Sequence, residues 1–93
     1  MIDVNEYFDG KVKSLGFVSE EGKATVGVME KGEYEFRTST VEIMKVISGK
    51  LSVKLPESDK YEDFGQDMSF TVKKDVKFLV KALVDTSYIC YYK

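Results

Sequence analysis

Apolar and polar residues alternate along most of this chain, and the alternation predicts β-strands. In "ATVGVM" the period places Ala24, Val26 and Val28 on one face, and the same period runs through "YEFRT" and "KLSVKLP". Because successive side chains of a strand point to opposite faces of a sheet, this period is typical of half-buried strands. The segments "MSFTVKK", "VKFLVKAL" and "TSYICYYK" continue it with β-branched and aromatic residues. No segment shows the period of an amphipathic helix.

Turn-forming residues separate these predicted strands. Gly, Asp, Ser and the only proline, Pro56, are concentrated in "SEEGK", "EKGE", "SGK", "PESDKYEDFGQD" and "KKD". Strands therefore recur about every ten residues, as in an antiparallel barrel or sandwich. The fold class predicted is all-β, with "PESDKYED" as a surface loop.

Length and charge narrow the class of protein. The 93 residues are enough for one domain, predicted over residues 1–93, and small enough that self-association would help to bury its surface. The formal net charge is -2, and the fourteen basic residues, with Arg37 as the only arginine, form no basic block. Nucleic-acid binding is therefore not expected, because affinity for nucleic acid comes largely from neutralised phosphates.

The single cysteine and the first residues favour the cytoplasm. Cys90 has no partner for an internal disulfide, which is typical of a reducing compartment. The opening "MIDVNEYFDG" has acidic residues where a signal peptide has lysines and an apolar core, and no apolar run is long enough to span a membrane. We expect a soluble cytoplasmic protein without membrane contact.

A glutamate and a glycine in the middle of the chain have the spacing of a known motif. Six residues separate Glu42 from Gly49, and this spacing closes the first motif of the metal-binding cupins. That motif belongs to two strands joined by a bend, whose alternate side chains point into the mouth of a small barrel. The spacing predicts this architecture.

The metal ligands of that motif are missing, because the chain contains no histidine. The two histidine positions would fall on Phe36 and Thr38, or on Glu35 and Arg37, and neither pair can replace two imidazoles. Carboxylates without imidazole partners would make a poor and unselective site. The carboxylates in question are those of Glu33, Glu35 and Glu42. No metal and no cofactor is expected.

Three blocks of sequence resemble one known family. They are "NEYFDGKVKSLGF" at 5–17, "VGVMEKGEYEFRTSTVEIMKVISGKLSVKLP" at 26–56 and the terminal "TSYICYYK". In this order they resemble the pyrimidine/purine nucleoside phosphorylase family of small cupins. The chain departs from the family where Lys73 and Lys74 follow Val72 in place of a "VP" turn. The resemblance implies a metal-free cupin-type barrel (jelly roll), site residues on the central strands, and a homodimer, which would also cover exposed sheet edges.

The activity that the resemblance implies is phosphorolysis of purine and pyrimidine nucleosides. Inorganic phosphate attacks the anomeric carbon and gives free base and a pentose 1-phosphate, a pentosyl transfer. The enzyme must hold a phosphate dianion and tolerate an oxocarbenium-like transition state. Hydroxyls, backbone amides and an arginine suit the phosphate, and stacking suits a broad range of bases.

Glu42 and Thr38 are the predicted catalytic residues. Glu42 could bind the ribose hydroxyls or stabilise positive charge at the anomeric carbon, or it could simply satisfy backbone amides at the bend. The Thr38 hydroxyl could bind phosphate, or Thr38 could be an ordinary β-branched strand residue. Both lie on strand faces that also carry apolar residues of the predicted barrel mouth, Phe36 and Met44.

The predicted binding residues are aromatic or cationic. Arg37 is the only guanidinium that could bind phosphate, although alternation points it away from Tyr34. Tyr34 and Tyr88 could stack on the base or belong to the core. Phe36 and Met44 are expected to form pocket wall or core. Cys90 is expected to pack, because no histidine can activate it as a nucleophile.

Other classes of function remain to be weighed. A histidine triad is excluded by composition, and neither GxGxxG nor GxxxxGK[ST] is present. The alternative left open is a non-catalytic or structural cupin that binds a small molecule without converting it. Base release that depends on added phosphate would distinguish the two.

Overall fold

The computed structural model describes residues 1–93 and confirms the all-β prediction. A single three-residue 3₁₀ helix, Phe8–Gly10, interrupts the strands. No helix is long and apolar enough to cross a membrane. The ten strands are β1 (Asp3–Tyr7), β2 (Val12–Ser19), β3 (Gly22–Met29), β4 (Gly32–Arg37), β5 (Glu42–Ser48), β6 (Leu51–Lys54), β7 (Glu62–Phe64), β8 (Ser69–Val72), β9 (Lys77–Ala82) and β10 (Thr86–Tyr92).

The strands form two antiparallel sheets. The larger sheet has six strands in the order β1-β2-β3-β10-β5-β8, and the smaller has four in the order β4-β9-β6-β7. Strand β10 lies between β3 and β5, so the last strand of the chain holds the middle of the larger sheet. A core cluster of 15 buried residues brings together inward-facing side chains from both sheets.

On β3, Ala24, Val26 and Val28 share one face, and the opposite face is the one that points into the core. Val26 and Val28 are 36% and 53% exposed, whereas Thr25 and Met29 are buried. Both faces of this strand carry apolar residues, so the period alone could not choose between them, and a one-residue shift exchanges the faces. The polar Thr25 faces inward, where its hydroxyl is satisfied by that of Tyr92 at 3.0 Å.

The loop predicted at "PESDKYED" is interrupted by a short strand. Strand β7 pairs with β6 and places Phe64 in the core, where its ring centroid lies 4.7 Å from that of Phe70. One buried aromatic residue in a polar segment gives no periodic pattern, so the sequence did not indicate this strand. Strands β1 and β2 were likewise not predicted from the period.

Gly49 has a structural reason for its place in the motif. Its φ is +102°, in the left-handed region that L side chains rarely adopt, and a Cβ there would lie 2.5 Å from Thr86 Oγ1. The bend between β5 and β6 therefore requires glycine. It sets the end of β5, the strand that carries Glu42 and Met44.

Candidate functional site

A cavity of about 450 Å³ lies between the two sheets. This volume is within the range of small-molecule sites in proteins, about 300–1,000 Å³. Its wall is mostly apolar and aromatic, with a few polar groups. The lining residues are Tyr7, Phe8, Ser14, Glu35, Phe36, Arg37, Glu42, Met44, Phe78, Tyr88, Cys90 and Tyr92.

Several of the lining side chains come from the larger sheet, where the register between β5 and β10 directs them into the cavity. Cys90 pairs with Met44 and Tyr92 pairs with Glu42, so all four side chains point to the inner face. Tyr88 faces the same way and pairs with Gly27 on β3. A Cβ on Gly27 would lie 2.6 Å from the Tyr88 hydroxyl oxygen, so glycine leaves the space that this ring occupies.

Glu42 is a half-buried carboxyl group with one side-chain hydrogen bond. The Cys90 thiol donates it, with Sγ 3.4 Å from Oε1. Burial raises the pKa of Glu42, because it disfavours the charged form, and the thiol hydrogen bond opposes that rise. Glu42 therefore offers an oxygen acceptor inside an apolar enclosure, where interactions with charge are stronger than in water.

Two tyrosine hydroxyls also face the cavity. Burial raises the pKa of both Tyr88 and Tyr92 above the ordinary value, so both remain protonated at neutral pH. The Tyr92 hydroxyl pairs with Thr25 Oγ1, whereas the Tyr88 hydroxyl makes no side-chain hydrogen bond within the protein. Tyr88 therefore presents a hydroxyl that can donate to, or accept from, a bound molecule.

Arg37 is the only cationic side chain that lines the cavity. It is exposed at the end of β4 and forms no ion pair with an acidic residue within 4.0 Å. Its five N–H donors are thus available to an anion, and their fork suits the oxygens of phosphate. Alternation predicts that Arg37 points to the face of β4 opposite to that of Tyr34. Arg37 nevertheless borders the opening of the cavity, because it is the last residue of the strand.

Aromatic rings form the wall contributed by the smaller sheet and the 3₁₀ helix. The ring centroid of Phe36 lies 5.6 Å from that of Phe8 and 5.8 Å from that of Phe78. Phe8 and Asp9 have positive φ values of 53° and 57°, which are uncommon for residues other than glycine. This turn sets Phe8 over the cavity with Tyr7 beside it.

The structure does not bring Thr38 or Tyr34 to the cavity. Thr38 is 2% exposed, and its hydroxyl donates to the Lys73 carbonyl at 2.6 Å and accepts from the Val76 amide at 3.2 Å. Tyr34 is buried, and its hydroxyl donates to the Glu30 carbonyl. Hydroxyls engaged in this way tie strand β4 and the segment after it to their neighbours. The other predicted site residues, Phe36, Arg37, Glu42, Met44 and Tyr88, all line the cavity.

Sequence reasoning missed several lining residues. Cys90 and Tyr92 share the period of Tyr88 along β10, and that signal could have placed them on the same face. Tyr7, Phe8 and Ser14 come from a segment distant along the chain, and only the sheet order brings them here. Glu35 and Phe78 complete the set, and Phe78 pairs with Phe36 across β4 and β9.

The carboxylates do not gather into a metal centre. No group of three or more His, Cys, Asp or Glu side chains is close enough to hold a metal ion. The only cysteine that lines the cavity is protonated at neutral pH, because burial raises its pKa. A thiol is a weak metal ligand compared with a thiolate.

Two antiparallel sheets that enclose a side-chain-lined cavity define this protein as a cupin-type barrel. A cupin from Shewanella frigidimarina has the same fold, with a TM-score of 0.74 at 18% identity over 96% of this chain and 80% of that one. A protein of unknown function from Vibrio parahaemolyticus is more similar, with a TM-score of 0.96 at 38% identity over 100% of this chain and 99% of that one.

The chain belongs to the pyrimidine/purine nucleoside phosphorylase family. The profile of that family matches residues 2–92. A pyrimidine/purine nucleoside phosphorylase of Pseudomonas entomophila (strain L48) is 57% identical over 93 residues, which is 100% of this chain and 99% of the relative. One of Pseudomonas syringae pv. syringae (strain B728a) is 55% identical over 100% of both chains. The resemblance seen in the sequence is thereby confirmed.

Proposed function

We propose that this protein is a nucleoside phosphorylase of broad specificity, which converts purine and pyrimidine nucleosides and phosphate into free base and pentose 1-phosphate. Family membership supports the general activity. The observation that carries the proposal is that Arg37 and Glu42 line one cavity whose remaining wall is largely aromatic. These are the groups that the reaction needs: a cation for phosphate, an acceptor for the sugar or its developing charge, and rings for the base.

In the proposed reaction, Arg37 holds phosphate at the opening of the cavity. A phosphate oxygen forms a bond to the anomeric carbon as the bond from that carbon to the base nitrogen breaks, and the base leaves with the electron pair. Positive charge develops on the sugar in the transition state. An ionised Glu42 carboxylate stabilises that charge, or accepts hydrogen bonds from the ribose hydroxyls, more strongly than it would in water.

The proposed base site uses faces of aromatic rings in place of a fixed hydrogen-bond pattern. Phe36, Phe78 and Tyr88 line the cavity, with Met44 as a polarizable neighbour. Every base has a π-face, so stacking tolerates both purines and pyrimidines. Among the polar lining groups, the Tyr88 hydroxyl is free to contact phosphate or sugar. We assign Thr38 and Tyr34 structural roles in this scheme, because their hydroxyls are already engaged.

We also propose that a second copy of the chain covers the outer face of the larger sheet. Val4, Leu15 and Val26 pair in register across three strands and are 72%, 49% and 36% exposed. An apolar row of this kind on a small barrel is suited to a two-fold interface. Light scattering at micromolar concentration should give about twice the mass of one chain if the homodimer forms.

Two further proposals concern organisation and location. The single core cluster of 15 residues supports one domain over residues 1–93, which should unfold in one cooperative transition. The buried free thiol of Cys90 is compatible with a reducing cytoplasm, where we place the protein.

The decisive experiment measures base release from uridine and inosine with and without added phosphate. Release that depends on phosphate, together with formation of pentose 1-phosphate, is expected. Arg37→Ala should raise the KM for phosphate at least about tenfold, and Arg37→Lys, which keeps charge but loses the fork, should be intermediate. Lys77→Ala, which removes the paired cation next to Arg37 on β9, is the matched control. Nucleoside binding without any turnover would show a non-catalytic cupin in place of an enzyme.

A further inference from the structure

The Cys90 thiol has a specific contact inside the cavity. Cys90 is 2% exposed, and its Sγ lies 3.4 Å from Glu42 Oε1. The two residues belong to neighbouring strands, β10 and β5; Cys90 pairs with Met44, which lies two residues from Glu42 on the same face of β5. The contact is therefore fixed by the sheet and does not depend on a mobile segment.

No other side chain donates a hydrogen bond to Glu42. A half-buried carboxylate without a donor is costly, because burial removes the water that would otherwise solvate it. The thiol occupies Oε1 and leaves Oε2 without a side-chain partner in the protein. One oxygen is thereby anchored, and the other remains available to a molecule in the cavity.

The neighbours of Cys90 hold it in place. Tyr92, two residues from Cys90 on the same face of β10, pairs with Thr25 at 3.0 Å. Thr25 is itself paired with Cys90 across β3 and β10. The thiol thus lies on one face of the larger sheet among three polar side chains, those of Thr25, Tyr92 and Glu42. If Cys90 served only to fill space, an apolar side chain of similar size would do so equally well. The polar contact of the thiol with Glu42 indicates a further role.

We propose that Cys90 is a positioning residue, whose thiol holds Glu42 in the orientation and ionised state that the reaction requires. The inference rests on the proposed function of Glu42. It gives the thiol no covalent role, since the reactive thiolate is disfavoured by burial.

Other charged or titratable groups that face Glu42 could also affect how its ionisation depends on pH. From β10 these are Cys90, Tyr92 and Tyr88, all protonated at neutral pH. From β4 they are Arg37 and Glu35, which share the cavity with Glu42. Tyr7 faces it from β1, and β8 contributes the apolar Val72 opposite Glu42. Of the possible donors to the carboxylate in this set, only the thiol makes the contact.

The test compares Cys90→Ala and Cys90→Ser, with Val80→Ala as the control. Val80 is 1% exposed in the core and does not line the cavity, so this change costs stability without touching Glu42. Loss of the donor in Cys90→Ala should move the acid limb of kcat/KM up by roughly one pH unit. Cys90→Ser keeps a donor and should restore most of the wild-type profile, whereas Val80→Ala should leave the limb in place.

A second readout does not require activity. Carbon-13 NMR of the Glu42 carboxyl, assigned by its loss in Glu42→Gln, should show a higher pKa in Cys90→Ala than in the wild type. An unchanged NMR pKa together with an unchanged acid limb in folded Cys90→Ala would overturn the inference and leave the proposed function standing. Full turnover by Glu42→Gln would instead remove the proposed role of Glu42, and with it the reason to position that residue.

Discussion

The surroundings of Thr86 and those of Glu42 show two ways to bury a polar group in one small barrel. Thr86 is 0% exposed, and its hydroxyl donates to the Val84 carbonyl at 2.8 Å and accepts from the Lys50 amide at 3.1 Å. Glu42 has a single thiol partner and faces a cavity. Polar groups that are fully bonded within the protein stabilise the fold, whereas groups left with free capacity are available for binding and chemistry.

Thr38 belongs with Thr86 in this comparison, although it lies only four residues before Glu42. Its hydroxyl is engaged by Lys73 and Val76. Proximity along the chain is therefore a poor guide to membership of the site. Substituting one group of each kind should therefore separate effects on stability from effects on activity.

The largest effect is expected from the core. Met29 is 0% exposed and does not line the cavity, so Met29→Ala should destabilise the protein by about 2–5 kcal/mol through lost burial and a residual void. Urea unfolding measures the loss. At temperatures where the variant is folded, kcat/KM should stay within about twofold of the wild type, and a larger drop would show that the core and the cavity are coupled.

The two engaged threonines should affect stability more than activity. Thr86→Val and Thr38→Val keep the side-chain shape but leave a part-buried backbone amide without its acceptor, at Lys50 and Val76 respectively. Each should cost roughly 1–3 kcal/mol in the free energy of unfolding. If folded Thr38→Val lost turnover as Glu42→Gln does, while Thr86→Val did not, a catalytic role of Thr38 would be supported and the contrast between Thr38 and Glu42 would fail.

Glu42→Gln should show the opposite pattern. Phosphorolysis should fall tenfold or more, about 1.4 kcal/mol of transition-state stabilisation, because the amide cannot supply negative charge. Stability at neutral pH should be unchanged or higher, since the substitution removes a carboxylate whose ionisation burial disfavours. Turnover of uridine and inosine and urea unfolding are measured on the same preparation. A stable and fully active variant would place the chemistry elsewhere.

The dependence on pH follows from the raised pKa of Glu42. If the ionised carboxylate is needed, kcat/KM should decline at a pH above that of an ordinary glutamate as the solution is acidified. The free energy of unfolding responds to pH in the opposite direction, because the raised pKa means that protonation of Glu42 favours the folded state. The contribution of Glu42 to stability is most favourable at low pH and is lost as the pH rises through the folded-state pKa. An acid limb at the ordinary value for glutamate, about 4.3, would contradict the assignment.

The smallest effect is expected at Lys54. This residue follows the buried Val53 on β6 and does not line the cavity of Glu42. Lys54→Ala should change kcat/KM by no more than about twofold, as for most surface substitutions away from a site. It is a control for non-specific effects of charge, and a larger loss would indicate that the substrate reaches beyond the cavity.

The sequence alone determined the fold class and most of the central strands. Alternation identified the strands that contain Phe36, Leu51, Phe78 and Tyr88, because each has one face in the core. The spacing of Glu42 and Gly49 and the blocks shared with the family indicated a cupin-type barrel. Alternation and motif spacing both depend on residues close together along the chain, so they can be recognised in the sequence itself.

The tertiary structure decided which polar groups belong to the site. Alternation placed Thr38 on the face of Phe36, but the strand ends at Arg37 and the next residue turns to bond with Lys73. Tyr7 and Phe8 reach the cavity through the pairing of β1 with β2, and Cys90 reaches Glu42 through the pairing of β10 with β5. These contacts join residues far apart along the chain, and whether a hydroxyl or a carboxylate is free or engaged depends on partners that no local period specifies.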